Sequence, residues 1–263
     1  MSRAAVPDTA PFAADGGPVG VVISHGFTGT PASMRPWADQ LAAAGYTVRL
    51  PLLPGHGSTW RETNRSRWPE WYAEIEAALR DLQARCDTVF AAGLSMGGTL
   101  VTRLAEKYPE TVAGLVLVNP AYGTRRVDAK FAPAFARLIR SRPSIGGDIK
   151  KPGVAEPADD RTPVIAFASV LKLWKVTVAD LALVRAPILM YRSREDHVVD
   201  DLSAQLLTAG AVNTSVREVL LENSYHVATL DNDAPAIFDG SVEFIRSITD
   251  GVSVRGNRPG AAP

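Results

Sequence analysis

The sequence predicts an α/β fold: a mostly parallel sheet flanked by helices, with a helical insertion late in the chain. Three observations lead there. Short apolar runs alternate with amphipathic stretches, the pattern of strands buried under helices on both faces. The alternation fails once, between about residues 121 and 185, and then resumes. A length of 263 residues suits one large domain carrying an insertion.

The elements follow in order. "VGVVIS" (19–24) reads as a buried strand. Residues 31–44 read as a helix, with Met34, Trp37 and Leu41 at helical spacing, Pro31 in the first turn and Gly45 at the end. "YTVRLPLL" (46–53) is the next strand, and Trp71, Ile75, Leu79 and Leu82 mark one face of a helix. "TVFAAGL" (88–94) is a third strand, "GGTLVTRLAEKY" a helix and "VAGLVLVNP" (112–120) a fourth strand. Beyond the insertion come the strand "APILMYRS" (186–193), a helix over about 199–210, the strand "VREVLL" (216–221) and a closing helix over about 233–249. The chain therefore divides into a core built from 1–120 and 186–250, a helical cap over 121–185 and a mobile tail over 251–263. Singly, Phe131, Phe135, Leu138 and the apolar run 164–184 read as core helix positions. Together, an insertion after the 112–118 strand would lie above the C-terminal strand ends, where open α/β sheets bind ligands.

Composition narrows the function classes. Twenty-eight basic residues balance 28 acidic ones, so no long-range field gathers nucleic acid or an anionic membrane. The N-terminal "MSRAAVPDTAPFAADGG" lacks the apolar run of a signal peptide, and no segment is long and apolar enough to span a bilayer. A cytoplasmic enzyme is the expectation. Cys86, the single cysteine, excludes an internal disulfide or thiolate cluster and reads as a small core residue. His25, His56, His197 and His226 show no ligand spacing, so no metal enzyme is expected.

The chemistry is concentrated at strand ends. Gly93-Leu94-Ser95-Met96-Gly97 is G-x-S-x-G, the strand-to-helix turn that exposes a nucleophilic serine. A serine hydroxyl needs a base beside it, and the base needs a carboxylate to orient it and stabilise its charged form. On this fold they arrive after later strands, in the order Ser, Asp or Glu, His. "REDHVVD" after the 186–193 strand offers Asp196, and "ENSYHVATLD" after the 216–221 strand offers His226. Glu195, Asp200 and Asp201 compete for the carboxylate role, but Asp200 and Asp201 stand where a helix begins and acids serve as caps. His25 and His56 sit in early loops and His197 adjoins the aspartate, which leaves His226 as the base. Oxyanion donors are expected from the backbone amides of Met96, after the serine, and Phe27, in "SHGFTGTP". Gly26 and Gly29 let that loop approach a substrate closely. Acyl transfer through a serine requires no organic cofactor.

With these residues in place, the sequence resembles the α/β-hydrolase family, and within it the bacterial monoacylglycerol lipases and small carboxylesterases. "HGFTGTPASMRPWA", "AGYTV" with "LP" and "GHG", "GLSMGGTL", "EDHVV" and "NSYHVATLD" carry the likeness, in the family's order, from about residue 19 to 248. The resemblance implies the α/β-hydrolase fold and hydrolysis of a fatty-acid ester of glycerol or a similar small alcohol, a small-molecule substrate, without a cofactor. It also implies that "SIGGDIKKPGVAEPADDRTP" (144–163) supplies Ile145 near the acyl path and Glu156 to the glycerol hydroxyls, although "PADD" departs from the family's more apolar sequence. The apolar cap run is in addition a surface that could touch lipid transiently. Two other readings stay open: a general carboxylesterase or thioesterase with the same machinery, and a non-catalytic binding protein that keeps the fold.

Overall fold

The computed structural model describes residues 9–126, 139–144 and 146–256, with side chains up to residue 251. Ile145, Phe131, Phe135 and Leu138 lie outside the described residues.

Among the described residues seven strands form the main sheet: β1 (Phe12–Ala14), β2 (Val19–Ser24), β3 (Thr47–Leu50), β4 (Thr88–Leu94), β5 (Val112–Val118) and, after the insertion, β8 (Ile188–Ser193) and β9 (Val216–Leu221). Their spatial order is β1-β3-β2-β4-β5-β8-β9. Only β1 runs antiparallel to its neighbour; the other pairs are parallel. The intervening β6 (Ser141–Pro143) and β7 (Arg161–Pro163) form a separate antiparallel pair.

Each face of the sheet is sealed by an apolar layer, which is why the central strands read as continuous hydrophobic runs. On one face Trp71, Ile75 and Leu79 of α3 (Trp68–Gln83) pack with Leu100 and Leu104 of α4 (Met96–Lys107). On the other, Trp37 and Leu41 of α1 (Arg35–Ala43) pack with Ile237 and Ile245 of the closing helix α7 (Ala234–Gly256). Each such side chain contributes roughly 1.5–3 kcal/mol of transfer free energy, so the layers fix the sheet and leave its C-terminal edge free for chemistry.

Several details differ from the sequence expectation. Residues 31–44 split into a 3-10 turn, Pro31–Ser33, and α1, because Pro36 has no N–H with which to continue the preceding turn. The helix expected from 199 is α6, Leu202–Gly210, its start set by Asp200, whose carboxylate accepts the Leu202 N–H. The closing helix runs past residue 249 to Gly256, and residues 257–263 lie outside the described residues. β1, the short helix α2 (Trp60–Thr63) and the β6/β7 pair were not expected at all.

The insertion's long helix, α5 (Val164–Asp180), serves two surfaces. Ala166, Val170 and Leu173 join the core beside α3 and α4, while Val164, Phe167 and Trp174 line a cavity over the sheet edge. Its first turn follows a proline and has no local cap. Asn64 substitutes from a distant loop: its Oδ1 accepts the N–H groups of Ile165 and Ala166 at 3.0 Å each, and its Nδ2 donates to the Arg140 carbonyl at 2.8 Å.

Candidate active site

Among the described residues three non-glycine residues adopt positive φ, and all stand at the C-terminal end of the sheet: Thr28 (65°) after β2, Ser95 (55°) after β4 and Asn119 (43°) after β5. Such conformations cost about 1–3 kcal/mol each and persist only where the surroundings enforce them. At Ser95 the enforcement is steric. A Cβ on Gly93 would lie 2.5 Å from the Gly97 carbonyl carbon, and one on Gly97 would lie 2.2 Å from the Ser24 carbonyl oxygen. The sharp turn needs both glycines. It is pinned by the Ser95 N–H donating to the Val118 carbonyl at 3.0 Å.

The loop after β2 lies against this turn, with a Cβ on Gly26 falling 3.4 Å from that of Ser95. His25 braces the loop from beneath: its Nε2 accepts the Leu53 N–H at 3.1 Å and its Nδ1 donates to the Gly26 carbonyl at 2.9 Å. Phe27 packs its ring against His56, Trp71 and Phe167. Neither the Phe27 nor the Met96 backbone N–H is paired with an acceptor among the described residues, and both residues border the cavity above Ser95. That cavity has a volume of about 660 Å³ and a mainly apolar wall that includes Ile139, Phe167, Val170 and Trp174.

Asp196 and His226 are in direct contact. Asp196 Oδ2 lies 2.8 Å from His226 Nδ1, while Oδ1 accepts the N–H groups of Val198 and Val199 at 2.8 Å each. Both side chains are almost wholly buried. Burial pushes an imidazole towards neutrality, but at His226 it is outweighed by the Asp196 charge and hydrogen bond, with Glu156 and Asp148 adding to them, and the imidazole is held above its ordinary value. Burial likewise works to raise Asp196, and the His226 charge and hydrogen bond with the two amides hold it below the usual carboxylate range. No hydrogen bond joins Ser95 Oγ to His226; Ser95 borders the cavity.

The competing groups are engaged elsewhere. Glu195 pairs with Lys150, Asp200 accepts from Thr124 and the Arg125 amide, Asp201 pairs with Arg125, and His197 pairs with Asp148. Glu156 lies beside the loop after β2: a Cβ on Gly29 would be 3.0 Å from its Oε1, and its Oε2 accepts the Gly147 N–H at 2.9 Å. Burial raises its carboxyl, partly countered by that bond and by the nearby His226.

Sequence reasoning missed Asn119, Asp148 and Asp231. Asn119 Nδ2 donates to the His226 carbonyl at 2.8 Å and to Ser193 Oγ at 3.0 Å, while its Oδ1 accepts the Ser193 N–H at 2.7 Å, tying the ends of β5, β8 and β9 together. A polar residue just before proline at the end of the buried run "VAGLVLV" was the available signal. Asp148 and Asp231 carried none.

The alpha/beta hydrolase family pattern matches residues 21–238. A thermostable monoacylglycerol lipase of Bacillus sp. (strain H-257) is 44% identical over 234 residues, 89% of this chain and 93% of its own. A carboxylesterase of Bacillus subtilis (strain 168) is 23% identical over 90% of this chain and 96% of its own. Among solved structures, one of two metagenome-derived lipolytic enzymes, LipS and LipT, superposes with a TM-score of 0.89 at 42% identity, covering 92% of this chain and 99% of that one. The monoacylglycerol lipase of Paleococcus ferrophilus shares the fold, with a TM-score of 0.72 at 20% identity over 90% of this chain and 98% of its own. By the span of that pattern and the identity of its relatives, the chain belongs to the alpha/beta hydrolase family.

Proposed function

We propose that the chain is a serine hydrolase of carboxylic esters whose foremost substrates are monoacylglycerols, released as glycerol and fatty acid. The observation that carries the reading is the buried 2.8 Å contact of Asp196 with His226 at the same sheet edge as the strained Ser95, under an apolar cavity. The 44% identity to a monoacylglycerol lipase supports the substrate class.

In this reading Ser95 Oγ attacks the ester carbonyl while His226 Nε2 takes its proton, and the Phe27 and Met96 amides hold the oxyanion. His226 then protonates the leaving alcohol, and later activates the water that releases the acid. Asp196, acting through Nδ1, fixes the tautomer that leaves Nε2 free to accept. The serine–imidazole hydrogen bond forms with substrate in place, since such contacts are often long in the unliganded enzyme and tighten in the complex. The acyl chain occupies the apolar cavity of the cap (121–185) above the core (1–120 with 186–250), and Glu156 accepts hydrogen bonds from the alcohol hydroxyls.

Two measurements test the proposal. A fluorophosphonate should label the wild type and leave Ser95→Ala unlabelled; equal labelling removes Ser95 from the chemistry. On a panel of monoacylglycerols, diacylglycerols, simple alkyl esters and acyl-CoA, turnover should favour monoacylglycerols, and Glu156→Gln should reduce that preference about tenfold while sparing alkyl esters. Equal loss on every ester would remove the Glu156 assignment, and a preference for acyl-CoA would replace the substrate class.

A further inference from the structure

A carboxylate of the insertion spans the two loops that carry Asp196 and His226. Asp148 lies between β6 and β7, in the insertion, beside Lys150 and Lys151, whose N–H groups also reach the histidine loop. Its Oδ2 accepts the His226 N–H at 3.1 Å and the His197 N–H at 3.2 Å, and its Oδ1 lies 2.8 Å from His197 Nδ1. Residue 197 directly follows Asp196. One carboxylate oxygen therefore bridges backbone beside both members of the Asp196–His226 pair.

The surrounding contacts make this a two-way clasp. The Val227 N–H donates to the Asp148 carbonyl at 3.0 Å. In the opposite direction Asp231, buried on the histidine loop, accepts the N–H groups of Lys150 (2.7 Å) and Lys151 (2.9 Å) from the insertion and of Tyr225 (2.9 Å) from its own loop. His226 is thus held through its N–H from the insertion side and through its C=O, by Asn119, from the sheet side.

We propose that Asp148 is a positioning residue for the reaction: by gripping the backbone at 197 and 226 together, it makes the alignment of Asp196 with His226 depend on the seating of the segment 146–151. This rests on the hydrolase reading above. The physical basis is that charge-assisted bonds from one rigid carboxylate fix relative position better than separate contacts do, and that misplacing a catalytic group by about 1 Å can cost on the order of a hundredfold in rate. Three carboxylates bear on the His226 imidazole, Asp196, Glu156 and Asp148, so removing the charge of the last also weakens the protonated form.

The test compares wild type, Ser95→Ala, Asp148→Ala, Asp148→Asn and His197→Ala on one short-chain nitrophenyl ester, measuring kcat, KM, the pH profile of kcat/KM and Tm. Asp148→Ala should lower kcat 10- to 100-fold with KM changed less than about threefold. Asp148→Asn keeps an acceptor for the two N–H groups, so it should recover part of kcat while moving the acid limb of kcat/KM to lower pH. His197→Ala, which loosens one half of the grip, should give a smaller loss of kcat. Should Asp148→Ala fail to fold, Asp148→Asn and His197→Ala decide. Wild-type kcat and an unmoved acid limb in Asp148→Asn, or a loss confined to Tm or KM in the set, would overturn the inference while Ser95→Ala remains inactive. A wild type that does not turn over the ester, or a Ser95→Ala that matches it, overturns the hydrolase reading itself and this inference with it.

Discussion

His25, His56 and His226 are all enclosed near the same sheet edge, yet they are driven in opposite directions. Burial lowers His25 to about 3, with the neighbouring His56 adding to the effect, and lowers His56 to about 4. His226 is held above its ordinary value in an equally dry setting. The difference lies in the partners. His25 meets an amide and a carbonyl, His56 meets the Pro54 carbonyl and leaves Nε2 buried without a partner among the described residues, and His226 meets carboxylates. Two unit charges about 4 Å apart interact with about 4 kcal/mol at an effective dielectric of about 20. That is roughly a thousandfold in a protonation equilibrium and comparable with the cost of burying the ring. Enclosure alone makes histidine a neutral brace; enclosure with a carboxylate makes it a base that can hold a proton.

Breaking the comparison at its charged member should have the largest effect. His226→Ala and Ser95→Ala should each lower kcat by about 10⁴- to 10⁶-fold, and the double variant should lose little more, because in the proposed mechanism the two groups act as one unit. Additive losses in steady-state assays would refute their coupling. Asp196→Asn leaves the ring enclosed but removes its charged partner. It should lower kcat by about 10³- to 10⁴-fold and shift the acid limb of kcat/KM downward, towards the behaviour of His25 and His56. In the wild type that limb should lie above the ordinary histidine value, since in the proposed mechanism only the neutral imidazole accepts the serine proton, and activity should fall as pH drops through the raised value. A limb that Asp196→Asn leaves in place would mean that another group titrates there.

Much of this arrangement was legible because it repeats along the chain. The runs at 19–24, 88–94 and 216–221 match β2, β4 and β9 residue for residue, and Trp71, Ile75, Leu79 and Leu82 are the buried face of α3, since the need to bury apolar surface writes itself as a period. The two glycines around Ser95 were legible for a steric reason that the close approaches at Gly93 and Gly97 make plain. What stayed hidden has no period. Asp148 reaches His226 across 78 residues through backbone N–H groups, which every residue has, so the sequence carries no trace of the acceptor's target. The β6/β7 pair escaped because its strands are three residues long, end in proline and lack apolar alternation. The run 164–184 read as apolar but interrupted by Lys172, Lys175 and Asp180 because α5 buries one side in the core and turns Phe167 and Trp174 to the cavity, with Lys172 and Lys175 left outside.

The smallest effect belongs to the neutral members of the comparison, and it appears in stability. A buried histidine whose folded value lies near 4 stays neutral where the unfolded chain, near 6.5, already binds a proton. Between those values the unfolded state holds more protons, so stability rises with pH, and acidification from about 6.5 towards 4 removes it. His226 has the opposite sign: its raised value adds stability that is complete below 6.5 and is lost as pH rises through the folded value. Asn in place of His56 keeps a donor for the Pro54 carbonyl and removes one titrating ring. His56→Asn should therefore be less stable than wild type at pH 7.5, with the gap narrowing by on the order of 1–3 kcal/mol, or roughly 2–10 °C in Tm, at pH 4.5. The acid limb of kcat/KM should not move, because in the proposed mechanism His226 and not His56 exchanges the serine proton. Tm curves that stay parallel from pH 7.5 to 4.5 would show that His56 takes up its proton within the fold, and the division between brace and base would then need a cause other than the carboxylates.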